Sequence, residues 1–239
     1  MHYFDLTLPT PEENLALDDA LLEEAETSEA PRDTLRIWES PEPLVVLGRN
    51  SHAEAEVNLA FCRERAVPVL RRGSGGCAVM VGPGVLVYAV VLNYDAYPAL
   101  RALDAAHRFV LNKTADALRA FAPEIQQQGT SDLAIDGRKV SGNSLRCKRR
   151  NFLYHGTVLY QADVELLARC LVMPPREPEY RQSRPHAAFV TNLPADGAAL
   201  RTALQSAWQA EPATVDWPRA RVAELVASRY GRAEWNLRH

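Results

Sequence analysis

Between an apolar run at 67–70 and a longer one at 85–92 lies Arg71-Arg72-Gly73-Ser74-Gly75-Gly76-Cys77-Ala78-Val79, followed closely by Gly82-Pro83-Gly84. No other stretch restricts the fold as much. The sequence of 239 residues has only 12 glycines, and five of them fall here. Glycines clustered between two strands let the backbone pass close to another group, and paired arginines at the entrance suggest that this group is anionic.

The flanking segments say what carries the loop. Over 11–30, Leu15, Leu17, Ala20, Leu21, Leu22 and Ala25 mark an amphipathic helix. Thr10 caps it, Pro11 sits in its first turn, and Glu12 and Glu13 oppose its dipole. The acidic face of this helix is expected in solvent. Strands at 35–38 and 44–47 are separated by a turn, and a helix at 57–66 precedes the strand that delivers the loop. Segments 78–81 and 85–92 flank Gly82-Pro83-Gly84 as a hairpin would, and the second, almost wholly apolar, reads as a strand covered on both faces. A long helix spans 98–122 and a short strand 124–128. Asp136-Gly137 is a two-residue hairpin signal that fixes Lys139 just after the turn. A strand at 152–160 is interrupted at His155-Gly156, and a helix at 164–171 is broken by Pro174-Pro175. Residues 180–192 are polar and irregular, and helices at 197–210 and 218–230 close the chain. The class is α/β, in the α+β sense, with a mixed and largely antiparallel sheet flanked by helices. One domain covers 1–194, with a short helical tail, 195–239, packed on it.

Composition removes several classes of function. A net charge of −3 argues against a general nucleic-acid binder. The cluster Arg146-Cys147-Lys148-Arg149-Arg150 is either a solvated loop face or a patch for an acidic partner. No signal peptide opens the chain and no apolar run approaches membrane-helix length, so no membrane role and a cytoplasmic location are expected. Cys62, Cys77, Cys147 and Cys170 show no zinc-type spacing. Arginine outnumbers lysine 24 to three, the lysines being 113, 139 and 148, so a compact ammonium at Lys139 invites a functional question.

Three stretches could converge: the loop at 71–84, the hairpin with Asp132 and Lys139, and Ser141-Gly142-Asn143. One reading is a site for a ligand rich in negative oxygens, with Arg72 as a bidentate fork, Lys139 as a point charge at the reacting centre, and Asp132 holding a divalent cation. The other is a tightly packed turn with an Asp132 salt bridge. A phosphate loop of Walker type, a dinucleotide fingerprint and a Gly-x-Ser-x-Gly elbow are all missing from the sequence.

The motifs taken in order resemble one family. Residues 71–79 are similar to the Arg-Arg-x-Ser-Gly-Gly-Gly-Ala-Val signature of lipoate protein ligases, within the wider family of biotin and lipoate ligases and octanoyltransferases. Ser131-Asp132-Leu133, Gly137-Arg138-Lys139-Val140-Ser141-Gly142-Asn143 and His155-Gly156-Thr157 resemble that family's later segments. Gly48-Arg49-Asn50 and Glu56-Val57-Asn58 resemble its earlier ones. The resemblance covers about 35–175.

It implies a fold related to class II aminoacyl-tRNA synthetases and biotin ligase, and a two-step reaction. The carboxylate of lipoic or octanoic acid attacks the α-phosphate of ATP, and a lysine of a lipoyl domain then attacks the acyl adenylate. Carried over by residue, Lys139 is catalytic and touches acyl carbonyl and phosphate. Arg72, Cys77, Ala78, Val79, Met80 and Asp132 bind nucleotide, Asp132 with Mg2+. Arg71, Ser74, Gly75, Gly76, Val87, Ser141, Gly142, Asn143, His155 and Gly156 bind the acyl group. The implied partner is the lipoyl domain of a 2-oxoacid dehydrogenase E2 or a glycine cleavage H-type protein. Because 45 residues after Pro194 fall short of the usual accessory domain, either a separate accessory chain or a reduced tail is implied.

The departures are Cys77 for the third glycine, Val81-Gly82 for His-Asp, and Ser131 for asparagine. Gly82-Pro83-Gly84 is similar to the transferase branch, whose enzymes attack with a cysteine, yet Cys147 and Cys170 match neither of that branch's cysteine positions. Two alternatives therefore stay open: a cysteine-dependent octanoyl or lipoyl transferase, and a non-catalytic binder of the same fold. His155 is structural or supports the nucleotide, and His186 belongs to a loop that either covers the site or is plain surface.

Overall fold

The computed structural model describes residues 1–30 and 32–238. β1 (His2–Asp5) leads into α1 (Pro11–Thr27), where Thr10 and Glu13 form a reciprocal capping box. There follow β2 (Thr34–Trp38), β3 (Leu44–Leu47), α2 (Ala53–Glu56), α3 (Leu59–Glu64), β4 (Val69–Arg71), β5 (Val79–Val81) and β6 (Val85–Asn93). After α4 (Leu103–Leu118) come β7 (Gln126–Gln128), β8 (Asp132–Ile135), β9 (Arg138–Cys147) and β10 (Asn151–Leu159). The chain finishes with α5 (Val164–Cys170), α6 (His186–Phe189), α7 (Gly197–Ala207), β11 (Glu211–Pro212), α8 (Arg219–Leu225) and α9 (Ala233–Asn236). No helix among the described residues is long and apolar enough to cross a membrane.

Eight strands form one sheet in the order β11-β1-β2-β6-β10-β9-β8-β7, antiparallel except where β1 lies parallel to β2 and β11. β3, β4 and β5 make a separate three-stranded sheet. The apolar run of β6 shows why the large sheet is buried on both faces. Val85, Val87, Ala89 and Val91 join a core with α1 and the small sheet, whereas Leu86, Tyr88, Val90 and Leu92 join another with α4 and α7.

Several expectations need correction. β5 and β6 do not form a hairpin, because β5 pairs with β3 and β6 with β2 and β10. The turn between them is wedged in place: Gly84, at φ 79°, accepts hydrogen bonds from the Tyr160 and Gln161 amides. The acidic face of α1 is not in solvent: Asp18 and Asp19 are buried beside Arg36 and Arg146, while Glu23 and Glu26 meet the Lys148–Asn151 segment. That pairing also accounts for much of the basic cluster. His155-Gly156 does not interrupt β10, which runs unbroken in register with β6 and β9. The polar stretch after residue 178 contains α6. The last segment is not helical alone, since β11 extends the large sheet.

Candidate functional site

A cavity of about 570 Å³ opens between the two sheets. Trp38, Val46, Val79, Val87, Leu159 and Leu171 give it apolar wall, and Glu56, Arg72, Asp132, Lys139 and Arg176 give it charge. Apolar lining with a few convergent polar groups suits a ligand having a greasy body and an ionised end.

The β8–β9 hairpin supplies the reactive-looking pair. Asp136 and Gly137 both take positive φ, 48° and 68°, so the turn is tight and Lys139 follows it at once. Lys139 Nζ lies 2.6 Å from Asp132 Oδ1, while the Tyr180 hydroxyl donates to Asp132 Oδ2 at 2.9 Å. Burial, then the Asp132 charge, drives the Tyr180 phenol well above its ordinary range. Gly142 makes room for the lysine: a Cβ there would sit 2.7 Å from Lys139 Nζ. Asn143 is a bracket. Its Nδ2 donates to the Ser131 carbonyl at 2.8 Å and to Ser141 Oγ at 3.0 Å, and its Oδ1 accepts from the Tyr88 hydroxyl. Gly156 is required beside it, because a Cβ would run into the Asn143 amide.

The glycine loop is organised by two arginines facing opposite ways, Arg71 as the last residue of β4 and Arg72 as the first of the loop. Arg71 is wholly buried and away from the cavity. It donates to the carbonyls of Gly48, Ser51, Asn236 and Arg238, and so fastens the loop base to the C-terminal segment. Arg72 faces the cavity, but most of its donors are engaged. Nε meets Ser74 Oγ at 3.0 Å, Nη1 the Val46 carbonyl at 3.1 Å, and Nη2 the Gly75 and Cys77 carbonyls. One of five N–H groups is left, so Arg72 is no open fork. Burial lowers its pKa to about 10.

From Arg72 a polar chain runs inward. The Ser74 hydroxyl lies 2.6 Å from His155 Nε2, and His155 Nδ1 lies 3.6 Å from Asp18 Oδ2. Asp18 Oδ1 accepts from Arg36 at 2.6 Å. Ser74 Oγ thus accepts from Arg72 Nε and pairs with His155 Nε2, linking the loop arginine to the histidine. Burial pushes the Asp18 carboxyl up, but Arg36 and His155 outweigh it and hold it below the ordinary value. On the other flank Glu56 accepts the Ala78 amide proton at 2.6 Å. Cys77 is half-buried beside Arg176, and burial, then Glu56, pushes its thiol up.

Of the residues expected at the site, Arg72, Gly76, Cys77, Ala78, Val79, Met80, Val87, Asp132, Lys139, Gly142, Asn143, His155 and Gly156 line the cavity. Arg71, Ser74 and Ser141 are buried off the wall, and Gly75 lies off it in an exposed position. Cys62, Cys147 and Cys170 are off it as well. Sequence reasoning passed over Asp18, Trp38, Glu56 and Arg176, all of which line it. Only Glu56 had a signal, its place in Glu56-Val57-Asn58.

The sequence model of the family described as "Lipoyl protein ligase A/B catalytic domain" matches residues 10–200. A putative lipoate-protein ligase A of Aeropyrum pernix is 33% identical over 163 residues, 68% of this chain and 59% of that protein. A probable lipoate-protein ligase A of Mycoplasma pneumoniae is 31% identical over 173 residues, 72% and 49% respectively. The chain thus spans about half the length of the curated ligases it matches. The octanoyltransferase LipM of Brevibacillus brevis is 24% identical over 96% of this chain and 95% of its own. Among solved structures, a putative lipoate protein ligase of Thermoplasma acidophilum with bound lipoic acid superposes with TM-score 0.81 at 20% identity, covering 99% of both chains. A lipoate-protein ligase A bound with ATP gives 0.84 at 19%, covering 99% and 98%. The T. acidophilum bi-partite lipoate protein ligase, solved with its E2 lipoyl domain, gives 0.83 at 20%, covering 99% and 95%. These likenesses show the fold.

Proposed function

From the premise that the chain belongs to the lipoyl protein ligase A/B catalytic domain family, we propose that it activates lipoate or octanoate with ATP and passes the acyl group to a lysine of a lipoyl domain. The observation that carries this is Lys139 and Arg72 set in the wall of one otherwise largely apolar cavity. In the first step an oxygen of the acid attacks the α-phosphorus and pyrophosphate leaves. Two anions meet there, so a compact cation at their junction matters most in the transition state. Lys139 has three N–H donors and commits one direction to Asp132, leaving others for acyl carbonyl and phosphate. Arg72 acts through the loop: it gathers the Gly75 and Cys77 carbonyls toward its own guanidinium and so fixes the shape of the wall that would receive the nucleotide. In the second step the lysine amine attacks the carbonyl carbon and AMP departs.

Beside the contacts with Lys139 and Tyr180, each Asp132 oxygen keeps a further lone pair that would suit a magnesium ion riding on the phosphates. Among the described residues no three acidic, histidine or cysteine side chains cluster, so Asp132 would hold the ion together with phosphate oxygens and water, as this ion prefers. Bound there, it would screen phosphate charge. The acceptor is an E2 lipoyl domain or a glycine cleavage H-type protein, and the catalytic unit is 1–194 with 195–239 packed on it. A separate accessory chain, by analogy with the bi-partite T. acidophilum enzyme, is a further candidate partner. The test is intact mass: a lipoyl domain should gain one lipoyl group only when protein, lipoate and ATP are all present, and gain without ATP would refute the reading.

The near full-length match to an octanoyltransferase favours one competing reading, acyl transfer through a cysteine thioester. Cys77 is the cysteine on the cavity wall among the described residues. Acylation of Cys77 by an acyl thioester without ATP would favour transfer.

A further inference from the structure

Granted the ligase reading, on which the role assigned to His186 rests, transfer to a lysine needs a proton acceptor that Lys139 and Arg72 do not supply. As an amine nitrogen closes on the acyl carbon it becomes cationic and must lose a proton, which a base within hydrogen-bond reach assists. The carboxylates on the cavity wall each face a cation or an N–H donor: Asp132 meets Lys139 and Tyr180, Asp18 meets Arg36 through Oδ1 and is buried, Glu56 accepts the Ala78 amide, and Glu177 lies 3.6 Å from Arg181. His155 Nε2 is taken by Ser74, and its Nδ1 lies 3.6 Å from the buried Asp18 Oδ2, on the inner side of the ring.

His186 differs. It lines the cavity, and its Nε2 donates to the Val172 carbonyl at 3.0 Å, which puts the proton on Nε2 and the lone pair on Nδ1. Among the described residues nothing hydrogen-bonds Nδ1. The ring stands on α6, one turn before Val190, which bridges Lys139, and the Thr191 amide donates to the Lys139 carbonyl at 2.9 Å. Val172, whose carbonyl the ring meets, and its neighbour Met173 are 39% and 43% exposed, and His186 itself is partly exposed, so the imidazole stands where the cavity wall borders solvent. Burial, and then the Arg181 and Lys139 charges, keep the ring's pKa below its ordinary value against the pull of the Val172 carbonyl. The nearest carboxylates on the packed elements, Glu177 and Asp132, are paired with Arg181 and Lys139.

We propose that His186 is the general base of the transfer step. The lysine enters as its free amine, and as the C–N bond forms Nδ1 takes the nitrogen's proton. The acyl C–O bond to phosphate breaks, AMP leaves with the electron pair, and His186 releases its proton to water.

The test separates the two half-reactions in the full chain. His186→Gln keeps an N–H for Val172 but has no basic nitrogen. Pyrophosphate exchange should stay at the wild-type rate, while transfer from synthetic lipoyl adenylate to a lipoyl domain falls on the order of a hundredfold. The wild type should lose transfer on the acid side through the imidazole as well as through the acceptor amine, the variant should keep only the amine's limb, and free imidazole should restore transfer to His186→Ala. Wild-type transfer in His186→Gln, or equal loss in both half-reactions, would overturn the proposal. Because the adenylate is supplied, a wild type that transfers but does not exchange pyrophosphate would refute adenylation alone.

Discussion

Gly142→Ala should damage the chemistry while sparing the fold. A Cβ at 142 would lie 2.7 Å from Lys139 Nζ and 2.8 Å from its Cε, where ordinary contact begins at 3.4 Å. The ammonium must therefore retreat by 3.4 − 2.7, or about 0.7 Å. Nothing else stands within 3 Å of the added carbon, and residue 142 lies outside the positive-φ region. The displaced atoms end a flexible side chain, so the fold should lose less than about 1 kcal/mol. Misplacing a catalytic group by 1 Å can cost about a hundredfold, and 0.7 Å of Lys139 should cost roughly ten- to a hundredfold in single-turnover adenylate formation. Thermal unfolding run in parallel should shift by no more than about 4 °C. Wild-type adenylation in a folded Gly142→Ala protein would refute the placement of Lys139 at the reacting centre.

Gly156→Ala should behave oppositely, because its Cβ meets the Asn143 amide and, at 2.9 Å, the Tyr88 ring inside a packed core. Denaturant titration should show a loss of about 2 kcal/mol or more. Arg71→Met leaves several buried carbonyls unpaired behind the loop and should cost about 3 kcal/mol or more, whereas a change below about 1 kcal/mol would contradict its bracing role. Asp18→Asn strands the buried Arg36 charge and should cost about 3 kcal/mol at pH 7. The folded Asp18 pKa is depressed, so its contribution is present above the unfolded value and lost as pH falls through the folded one. The gap between wild type and Asp18→Asn should therefore be constant at neutral pH and close below about pH 4. A gap that widened in acid would reverse the assignment.

How much could be read from the sequence depended on the range of the physics involved. Asp136-Gly137 announced a hairpin because positive φ at both positions is a local demand, and Lys139 and Asp132 came together through it. Gly82-Pro83-Gly84 carried an equally local signal with another outcome. Whether strands on either side of a turn pair depends on partners elsewhere, here β3 and β10, which no short window contains. The Arg71-Arg72 pair held less of a clue, because which arginine reaches the cavity is decided where β4 ends and the loop begins. Asp18 was hidden by its helix, where it looked like one more surface acid. Its burial becomes apparent only once β2 sets Arg36 beside it. Cys77 stood out as a departure from the pattern, and it stays on the cavity wall beside Arg176.

The central claim is adenylation, and ATP–pyrophosphate exchange tests it most directly. Label should pass from pyrophosphate into ATP only when lipoate or octanoate is present, and Lys139→Ala should abolish the exchange. No exchange with either acid, together with ATP-independent acylation of Cys77 by an acyl thioester, would contradict it.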